Sequence, residues 1–221
     1  NEDDPDLVGM AAAQPCHSYG YGISRQGAKV LESSAEAPYL RLQLDNELIS
    51  THLVGAYNAT NVLAAIAIGD YFGVPRAESV SAVENFVPSN NRSQMMQTAS
   101  NTLIVDAYNA YPSSMNAALD NFRTVNAERK IALLGDMREL GAESVNEHEK
   151  IVRRVIDAGL ETYLVGGEFR KALDALHTCS AGWFQTSEEL AAYLKDHPIT
   201  GAVVLVKGSR GIQMEKTLEV L

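Results

Sequence analysis

Between residues 102 and 221, a short apolar run followed by a helical pattern occurs five times. The runs cover residues 102–106, 130–136, 162–166, 182–185 and 202–207, and the helical patterns cover 113–122, 145–158, 168–176, 187–194 and 212–221. This alternation with short connections is typical of βαβ units, in which parallel strands form one sheet with helices on both faces. Because the runs are continuously apolar, we expect their strands to be buried on both sides.

Helix-start signals support this prediction. Pro112 lies at the start of the first helical pattern, where its missing N–H is not needed. Ser144 precedes Glu147 by three residues, and Thr186 precedes Glu189 by the same spacing. Both pairs predict capping boxes, in which the hydroxyl accepts from the amide three residues later and the carboxylate reaches back to the cap.

The first 88 residues follow a different pattern. Residues 39–44 and 47–53 alternate apolar and polar around a turn at Asp45-Asn46, which predicts a β-hairpin. Helical patterns follow at 58–72 and 77–86, whereas residues 1–38 show little periodicity. The polar, turn-rich stretch 88–92 is typical of a domain boundary. We therefore predict an α+β domain at 1–88 and an α/β domain with a mostly parallel sheet at 89–221.

Composition narrows the classes of partner. The net charge of −10 disfavours a nucleic-acid or acidic-membrane binder, because phosphate backbones attract Lys and Arg patches. No apolar run approaches the length that a membrane span needs. Cys16 and Cys179 are far apart and form no metal or disulfide pattern, which favours a reducing, cytoplasmic setting.

Polar side chains follow the predicted parallel strands at the points where they end. Open parallel sheets bind ligands beyond the carboxyl ends of their strands, so we expect these residues to form a site. Ordinary turn and capping chemistry explains the same residue types and stays open as an alternative. The residues are Asp106, Tyr108, Asn109, Tyr111 and Ser113 after the first strand, Asp136, Arg138 and Glu139 after the second, and Lys207, Ser209 and Arg210 after the fifth.

The sequence contains neither of two common nucleotide-binding loops and no metal-ligand spacing of histidines. No G-x-x-x-x-G-K-[ST] or G-x-G-x-x-G pattern occurs, and the five histidines are not spaced as metal ligands. Asn58 and Asn61 place two amides three residues apart on one face of a helix start, where they could pair with the edge of adenine. From the residues alone, an asparagine cap and a turn explain the same pair better.

Five ordered segments together carry a resemblance to a known family. They are LVGAYNATN at 53–61, VPSNNR at 87–92, VDAYNAYPSSM at 105–115, LLGDMRELG at 133–141 and LVKGSR at 205–210. In this combination the chain resembles the Mur ligases, and the opening residues 1–7 are similar to the family's Asn-x-Asp-Asp-Pro segment. Tyr57 and Tyr111 depart from the family pattern, which commonly has His and Asn at these positions.

The resemblance implies a fold and an activity. The fold would be a remnant of the central ATP-binding domain at 1–88 and a C-terminal Rossmann-like ligase domain at 89–221. The activity would be ATP- and Mg2+-dependent amide formation through an acyl phosphate in peptidoglycan precursor synthesis. The Tyr-Asn-Ala and Gly-Asp-Met-x-Glu-Leu-Gly segments favour UDP-N-acetylmuramoyl-tripeptide and D-alanyl-D-alanine as substrates, in a monomeric cytoplasmic enzyme.

The resemblance also implies roles for individual residues. Asn58 and Asn61 would lie at the adenine, Arg92 at the ribose or phosphates, and Asp106 at the ribose hydroxyls. Tyr108 and Asn109 would line the nucleotide or the cleft. A last group of residues would face the incoming amine substrate or the interdomain cleft. This group comprises Asp136, Lys207, Ser209 and Arg210.

Several catalytic parts of the family do not occur in this sequence. They are the P-loop, the Glu and modified Lys that hold magnesium, and the domain that binds the UDP moiety. We therefore expect the chain to be a C-terminal part that is inactive alone, with its catalytic and metal-binding residues elsewhere. Two alternatives stay open: a sister ligase of the muramyl-peptide or polyglutamate type, and a Rossmann-like binding module without ATP chemistry.

Overall fold

The computed structural model describes residues 1–15, 17–31, 39–89, 91–178 and 182–221, so Cys16 and Cys179 lie outside the described residues. The chain divides into two compact units, residues 1–87 and residues 88–221. We call them unit 1 and unit 2.

Unit 1 combines a small antiparallel sheet with helices. The strands are β1 (Lys29–Leu31), β2 (Tyr39–Leu44) and β3 (Glu47–Val54), paired in the order β1-β2-β3. The helices are α1 (Pro5–Ala12), α2 (Ile23–Gln26), α3 (Ala59–Tyr71) and α4 (Arg76–Asn85), with a 3-10 turn at Ala56–Asn58. The predicted hairpin is confirmed, and its turn uses Asp45 at a positive φ of 53°.

The core of unit 1 joins this sheet to α3. Leu42, Leu44 and Ile49 from the strands pack in one cluster with Leu63 and Ile66 from α3. Helix α1 was not predicted from periodicity, and it has no buried residue although Leu7, Val8 and Met10 in it are apolar. Its start is nevertheless well signalled, because the Asp4 side chain accepts from the amides of Asp6 and Leu7 and Pro5 is the first helical residue.

Unit 2 has the α/β architecture that the strand and helix patterns predicted. Its strands are β4 (Gln94–Gln97), β5 (Thr102–Asp106), β6 (Lys130–Gly135), β7 (Glu161–Val165), β8 (Gly182–Phe184) and β9 (Val203–Lys207). They form one sheet in the order β4-β5-β9-β6-β7-β8, and β4 is its antiparallel edge strand. The helices are α5 (Pro112–Thr124), α6 (Ser144–Asp157), α7 (Gly167–Ala175) and α8 (Ser187–Asp196). The mostly parallel sheet is confirmed, and Pro112 opens α5 as predicted.

Crossover direction assigns the helices of unit 2 to the faces of the sheet. The chain moves from β5 to β6, β7 and β8 in one direction across the sheet and returns from β8 to β9 in the other. Right-handed crossovers therefore put α5, α6 and α7 on one face and α8 on the other. On the α8 face, Leu190 and Leu194 pack with Ile131 and Leu133 of β6.

Two local predictions in unit 2 are wrong. Residues 212–221 do not form an α-helix; two 3-10 segments, Arg210–Ile212 and Met214–Val220, flank Gln213, whose φ of 57° interrupts right-handed helix geometry. Ser144 does not cap α6, because a 3-10 turn at Gly141–Glu143 leads directly into that helix. The Ser144 hydroxyl instead donates to the Glu168 carboxylate at 2.7 Å.

The second predicted capping box is confirmed in its main contact. The Thr186 hydroxyl accepts from the Glu189 amide at 3.2 Å. The Glu189 carboxylate reaches back to the amide of Gln185, one residue before the cap, at 2.9 Å. No helix among the described residues combines the length and apolarity needed to cross a bilayer.

Candidate functional site

The order of the strands creates an opening at their carboxyl ends. Strand β9 lies between β5 and β6, although it follows both in sequence. The connection after β5 leads to α5 on one face, and the segment after β9 packs on the α8 face. Where connections leave neighbouring strands for opposite faces, the strand ends stay accessible, and open α/β sheets bind ligands there.

Asp106 and Lys207 form a close ion pair at this edge. They are the last residues of β5 and β9 and are register partners in the sheet. Lys207 Nζ lies 2.5 Å from Asp106 Oδ2 and 3.3 Å from the carbonyl oxygen of Asn109. The Lys207 side chain is 1% exposed and that of Asp106 is 14% exposed. The lysine is therefore an internal partner of the aspartate, which retains limited access to solvent.

Ser209 connects the three loops that follow the central strands. Its hydroxyl donates to the Ala110 carbonyl at 3.3 Å and accepts from the Arg138 amide at 2.8 Å. Its own amide donates to the Asp136 carbonyl at 3.1 Å. Because Ser209 is almost fully buried, these contacts hold the loops together.

Asp136 caps the start of α7. Its two carboxylate oxygens accept from the amides of Glu168 and Phe169 at 3.0 and 2.9 Å. Gly166 allows this approach, because it has a φ of 117° and a Cβ there would lie 2.2 Å from an Asp136 oxygen. Burial raises the pKa of Asp136 above its ordinary value, although the two amides oppose the shift.

His148 supports the loop that carries Asp136. Its Nε2 accepts from the Met137 amide at 2.9 Å, and its Nδ1 lies 2.7 Å from the Ser144 carbonyl. A carbonyl only accepts and an amide only donates, so these contacts require the neutral, Nδ1-protonated ring. The 3.8 Å separation between His148 Nε2 and Asp136 Oδ1 is therefore not an ion pair, since Nε2 carries no proton.

Two arginines converge on the ring of Tyr108. The guanidinium carbon of Arg92 lies 3.5 Å from the ring centroid, and that of Arg210 lies 5.5 Å from it. Both arginines are exposed, as is Arg138. The described carboxylates form ion pairs with other arginines and with none of these three. Unpaired guanidinium groups held over an aromatic ring are suited to binding an anion.

Asn109 and Tyr111 contribute differently to this edge. The Asn109 side chain accepts from the Ala110 amide at 2.8 Å, so its carboxamide shapes the loop. The Tyr111 hydroxyl donates to the Glu139 carboxylate at 3.2 Å and links the loops after β5 and β6. Tyr111 is 42% exposed, which leaves its ring partly open to solvent.

Asn58 and Asn61 lie in unit 1, at the start of α3. Asn58 is 6% exposed, and its side-chain amide donates to the Val54 carbonyl at 2.8 Å. Asn61 is exposed, and its amide donates to the Asn58 oxygen at 3.1 Å. Nearby, the Tyr57 ring crosses Gly55, where a Cβ would lie 2.3 Å from the ring. Asn58 thus orients Asn61, which presents the outer carboxamide of the pair.

This arrangement predicts unequal effects of two similar substitutions. Asn58→Ala is expected to lower the stability of unit 1 by about 2 kcal/mol, because a buried carbonyl loses its donor. Asn61→Ala is expected to change it by less than about 0.5 kcal/mol, as is usual at an exposed position. Native-state hydrogen exchange of the α3 amides in the whole chain measures both effects. Equal effects of the two substitutions would contradict the assigned division of roles.

The described residues contain no group of three His, Cys, Asp or Glu side chains arranged to hold a metal ion. We therefore assign no magnesium ligand to them. The groups that converge in unit 2 are instead one partly accessible carboxylate, the unpaired guanidinium groups of Arg92 and Arg210, and the ring of Tyr108.

Comparison with known proteins identifies the family of unit 2. The profile of the family described as "Mur ligase, glutamate ligase domain" matches residues 91–210, which span more than half of the chain and all the site residues of unit 2. The chain belongs to the Mur ligase family. The sequence-based assignment to this family is therefore confirmed.

Individual Mur ligases show how far the similarity extends. The UDP-N-acetylmuramoyl-tripeptide–D-alanyl-D-alanine ligase of Rickettsia prowazekii is 29% identical over 209 residues, covering 92% of this chain and 46% of that protein. A crystal structure of MurF from Acinetobacter baumannii aligns with a TM-score of 0.70 and 29% identity, covering 87% of this chain and 43% of that one. The MurF ligase of Thermotoga maritima, solved with ADP, shares the fold with a TM-score of 0.77 at 20% identity, covering 99% of this chain and 51% of that one. The chain thus spans about half the length of these relatives.

The structure brings together most of the unit 2 residues that the sequence singled out. Lys207 contacts Asp106 and the Asn109 carbonyl, and two residues farther along the chain from Asp106 the ring of Tyr108 contacts Arg92 and Arg210. Two contributions were not assigned from sequence: the Ser93 amide, 3.4 Å from Asp106 Oδ1, and the His148 ring beneath the second loop. Nothing in the local sequence pattern around His148 shows which amide its ring accepts from.

Proposed function

We propose that this chain forms part of an ATP-dependent amide ligase that joins D-alanyl-D-alanine to UDP-N-acetylmuramoyl-tripeptide in peptidoglycan precursor synthesis, in the cytoplasm. The observation that carries the proposal is the cluster of Asp106, Arg92, Tyr108 and Arg210 beyond the carboxyl ends of β5 and β9 in unit 2. This cluster lies within the family match, and the relative from Rickettsia prowazekii bears that substrate pair in its name.

In this proposal the nucleotide binds at the carboxyl ends of β5 and β9. Asp106 accepts from the ribose hydroxyls, because each carboxylate oxygen retains a lone pair beyond its internal contact. Arg92, held against Tyr108, binds the ribose or a phosphate, and Tyr108 and Asn109 line the nucleotide site of unit 2. In unit 1, Asn61, oriented by Asn58, offers an exposed carboxamide suited to the edge of an adenine. ATP supplies the phosphoryl group that activates a carboxylate for attack by an amine.

The remaining residues at this edge of the sheet divide into exposed arginines and buried residues that hold the loops. Arg210 and Arg138 offer exposed, unpaired guanidinium groups to a substrate carboxylate or a phosphoryl oxygen. Asp136, Lys207 and Ser209 are buried and hold the loops from which those arginines project. Fixed cationic groups of this kind stabilise the charge that develops during acyl and phosphoryl transfer. Magnesium enters the proposal only as a cofactor of the complete enzyme, since we assign no ligand to it here.

The test is a titration of the isotope-labelled chain with ADP and Mg2+, followed by NMR. We expect amide shifts at Arg92 and at residues 106–109 of unit 2. Asp106→Ala is expected to weaken binding about tenfold, the effect of losing one hydrogen bond to a charged group. Asp157→Ala, an exposed aspartate at the end of α6, serves as the matched control. Shifts confined to other residues, or none at millimolar nucleotide, would contradict the nucleotide site.

The identity of the amine is tested with the protein that the whole gene encodes. ADP release in the presence of the UDP-muramoyl-tripeptide is expected with D-alanyl-D-alanine and not with a single L- or D-amino acid. Turnover with a single amino acid would favour a sister ligase of the same family, and no turnover with any amine would favour a binding module.

A further inference from the structure

We propose that Lys207 is a positioning residue, which holds the Asp106 carboxylate and the loop after β5 in the geometry that receives the nucleotide ribose. The inference rests on the nucleotide role of Asp106 proposed above. It gives Lys207 a role inside the protein, with no contact to the amine substrate.

The location of Lys207 is the first observation. It ends β9, the strand flanked by β5 on one side and β6 on the other. The four residues before it, 203–206, are all apolar, and Lys207 itself is 1% exposed. An ammonium group at such a position must be paired, because burial without a partner costs several kcal/mol.

The partners of Lys207 are the second observation. Its Nζ contacts Asp106 Oδ2 at 2.5 Å and the Asn109 carbonyl at 3.3 Å. The same ammonium therefore fixes both ends of the short segment that contains Tyr108. Among the residues that the structure describes, the other carboxylate oxygen of Asp106 has only the long 3.4 Å contact from the Ser93 amide. Without Lys207, no strong contact among the described residues would hold the carboxylate.

The energetics favour a positioning role over a purely structural one. Replacing a buried ion pair by well-packed apolar side chains is often neutral or stabilising. Stability alone therefore gives little reason for a lysine at the centre of the sheet. A carboxylate that must accept hydrogen bonds from two ribose hydroxyls needs a fixed orientation. Lys207, on the neighbouring strand, provides that orientation.

The experiment compares the affinity of the chain for ADP and for 2′,3′-dideoxy-ADP, which lacks the ribose hydroxyls. The unmodified chain is expected to prefer ADP about tenfold. Lys207→Met keeps the length of the stem and is expected to abolish this preference, as is Asp106→Asn. The double variant is expected to show the same loss as either single variant, because the two side chains act as one unit.

The matched control is Lys130→Met, at the opposite end of the sheet. Lys130 is a strand residue too, although it is half-buried and Lys207 is fully buried, and its ammonium donates to the carbonyls of Arg123 and Val125. Its loss removes comparable internal hydrogen bonds and is expected to leave the ADP preference unchanged. A merely structural effect of Lys207→Met would lower both affinities together, and this result would overturn the inference.

The outcomes separate this inference from the proposed function. If the unmodified chain binds no ADP, the nucleotide proposal fails and the inference fails with it. If Asp106→Asn abolishes the ADP preference while Lys207→Met retains it, only the inference is overturned. If Lys207→Met does not fold, the Nζ signals of Lys207 in the unmodified chain decide. We expect them to shift with ADP and not with dideoxy-ADP, and equal shifts with both would overturn the inference.

Discussion

Asp136→Ala is expected to lower the free energy of unfolding of unit 2 by about 2 kcal/mol at neutral pH, because the start of α7 loses its cap. The Asp136 carboxylate accepts from the amides of Glu168 and Phe169 in a buried setting. Alanine would leave the Phe169 amide without an acceptor. Denaturation of the whole chain, followed by the fluorescence of Trp183, measures the effect. Trp183 is the single tryptophan, and its indole N–H donates to the Gly166 carbonyl beside α7.

The Asp136 effect is expected to depend on pH in a defined direction. Burial raises the pKa of Asp136, so the native chain holds this proton more tightly than the unfolded chain does. The contribution of Asp136 to stability is therefore complete below the ordinary aspartate pKa and declines as the pH rises through the raised native value. The stability difference between wild type and Asp136→Ala should thus be larger in acid than at neutral pH. A difference that grows as the pH rises would show that the amides dominate over burial.

The control for Asp136 is Asp157→Ala, which removes an exposed carboxylate at the end of α6. We expect it to change the free energy of unfolding by less than about 0.5 kcal/mol, with no comparable dependence on pH. A loss at Asp136 that is no greater than this would mean that the capping contacts contribute little.

Asn101→Leu is expected to have the largest effect on stability, a loss of about 3 kcal/mol or more. Asn101 is 5% exposed, and its side-chain amide donates to the carbonyls of Ile199 and Leu221 at 2.8 and 2.6 Å. Its side-chain oxygen accepts from the Ala202 amide at 3.2 Å. One carboxamide thus satisfies three backbone groups at the amino ends of β5 and β9, and leucine of similar size satisfies none of them.

Asn126→Leu is the matched control for Asn101, because Asn126 is an exposed loop residue. Denaturation of the whole chain with Trp183 as the probe compares the two variants. We expect only the Asn101 variant to unfold at clearly lower denaturant concentration, with nucleotide binding preserved under native conditions. A loss below about 1 kcal/mol would mean that water replaces the carboxamide at these backbone groups.

Sequence patterns were most informative where structure is local. The apolar runs predicted five strands of unit 2 within a residue or two, and Pro112 and Thr186 marked the starts of α5 and α8. The antiparallel edge strand β4 was not predicted, because its four residues are half-buried or exposed and show no alternation. The prediction of a final helix at 212–221 was wrong, because Gln213 adopts a positive φ that the sequence pattern does not reveal.

For the candidate site too, local sequence patterns and tertiary structure determined different features. The sequence by itself determined that polar residues follow the ends of buried strands, and a parallel sheet must gather those ends at one edge. Only the tertiary structure decided their roles, because it inserts β9 between β5 and β6 and so makes Lys207 the register partner of Asp106. In the same way it turned Asp136 towards α7 and Ser209 towards two other loops. These contacts join residues 32 to 101 positions apart, and the geometry of such hydrogen bonds depends on strand order and helix placement, which no local periodicity encodes.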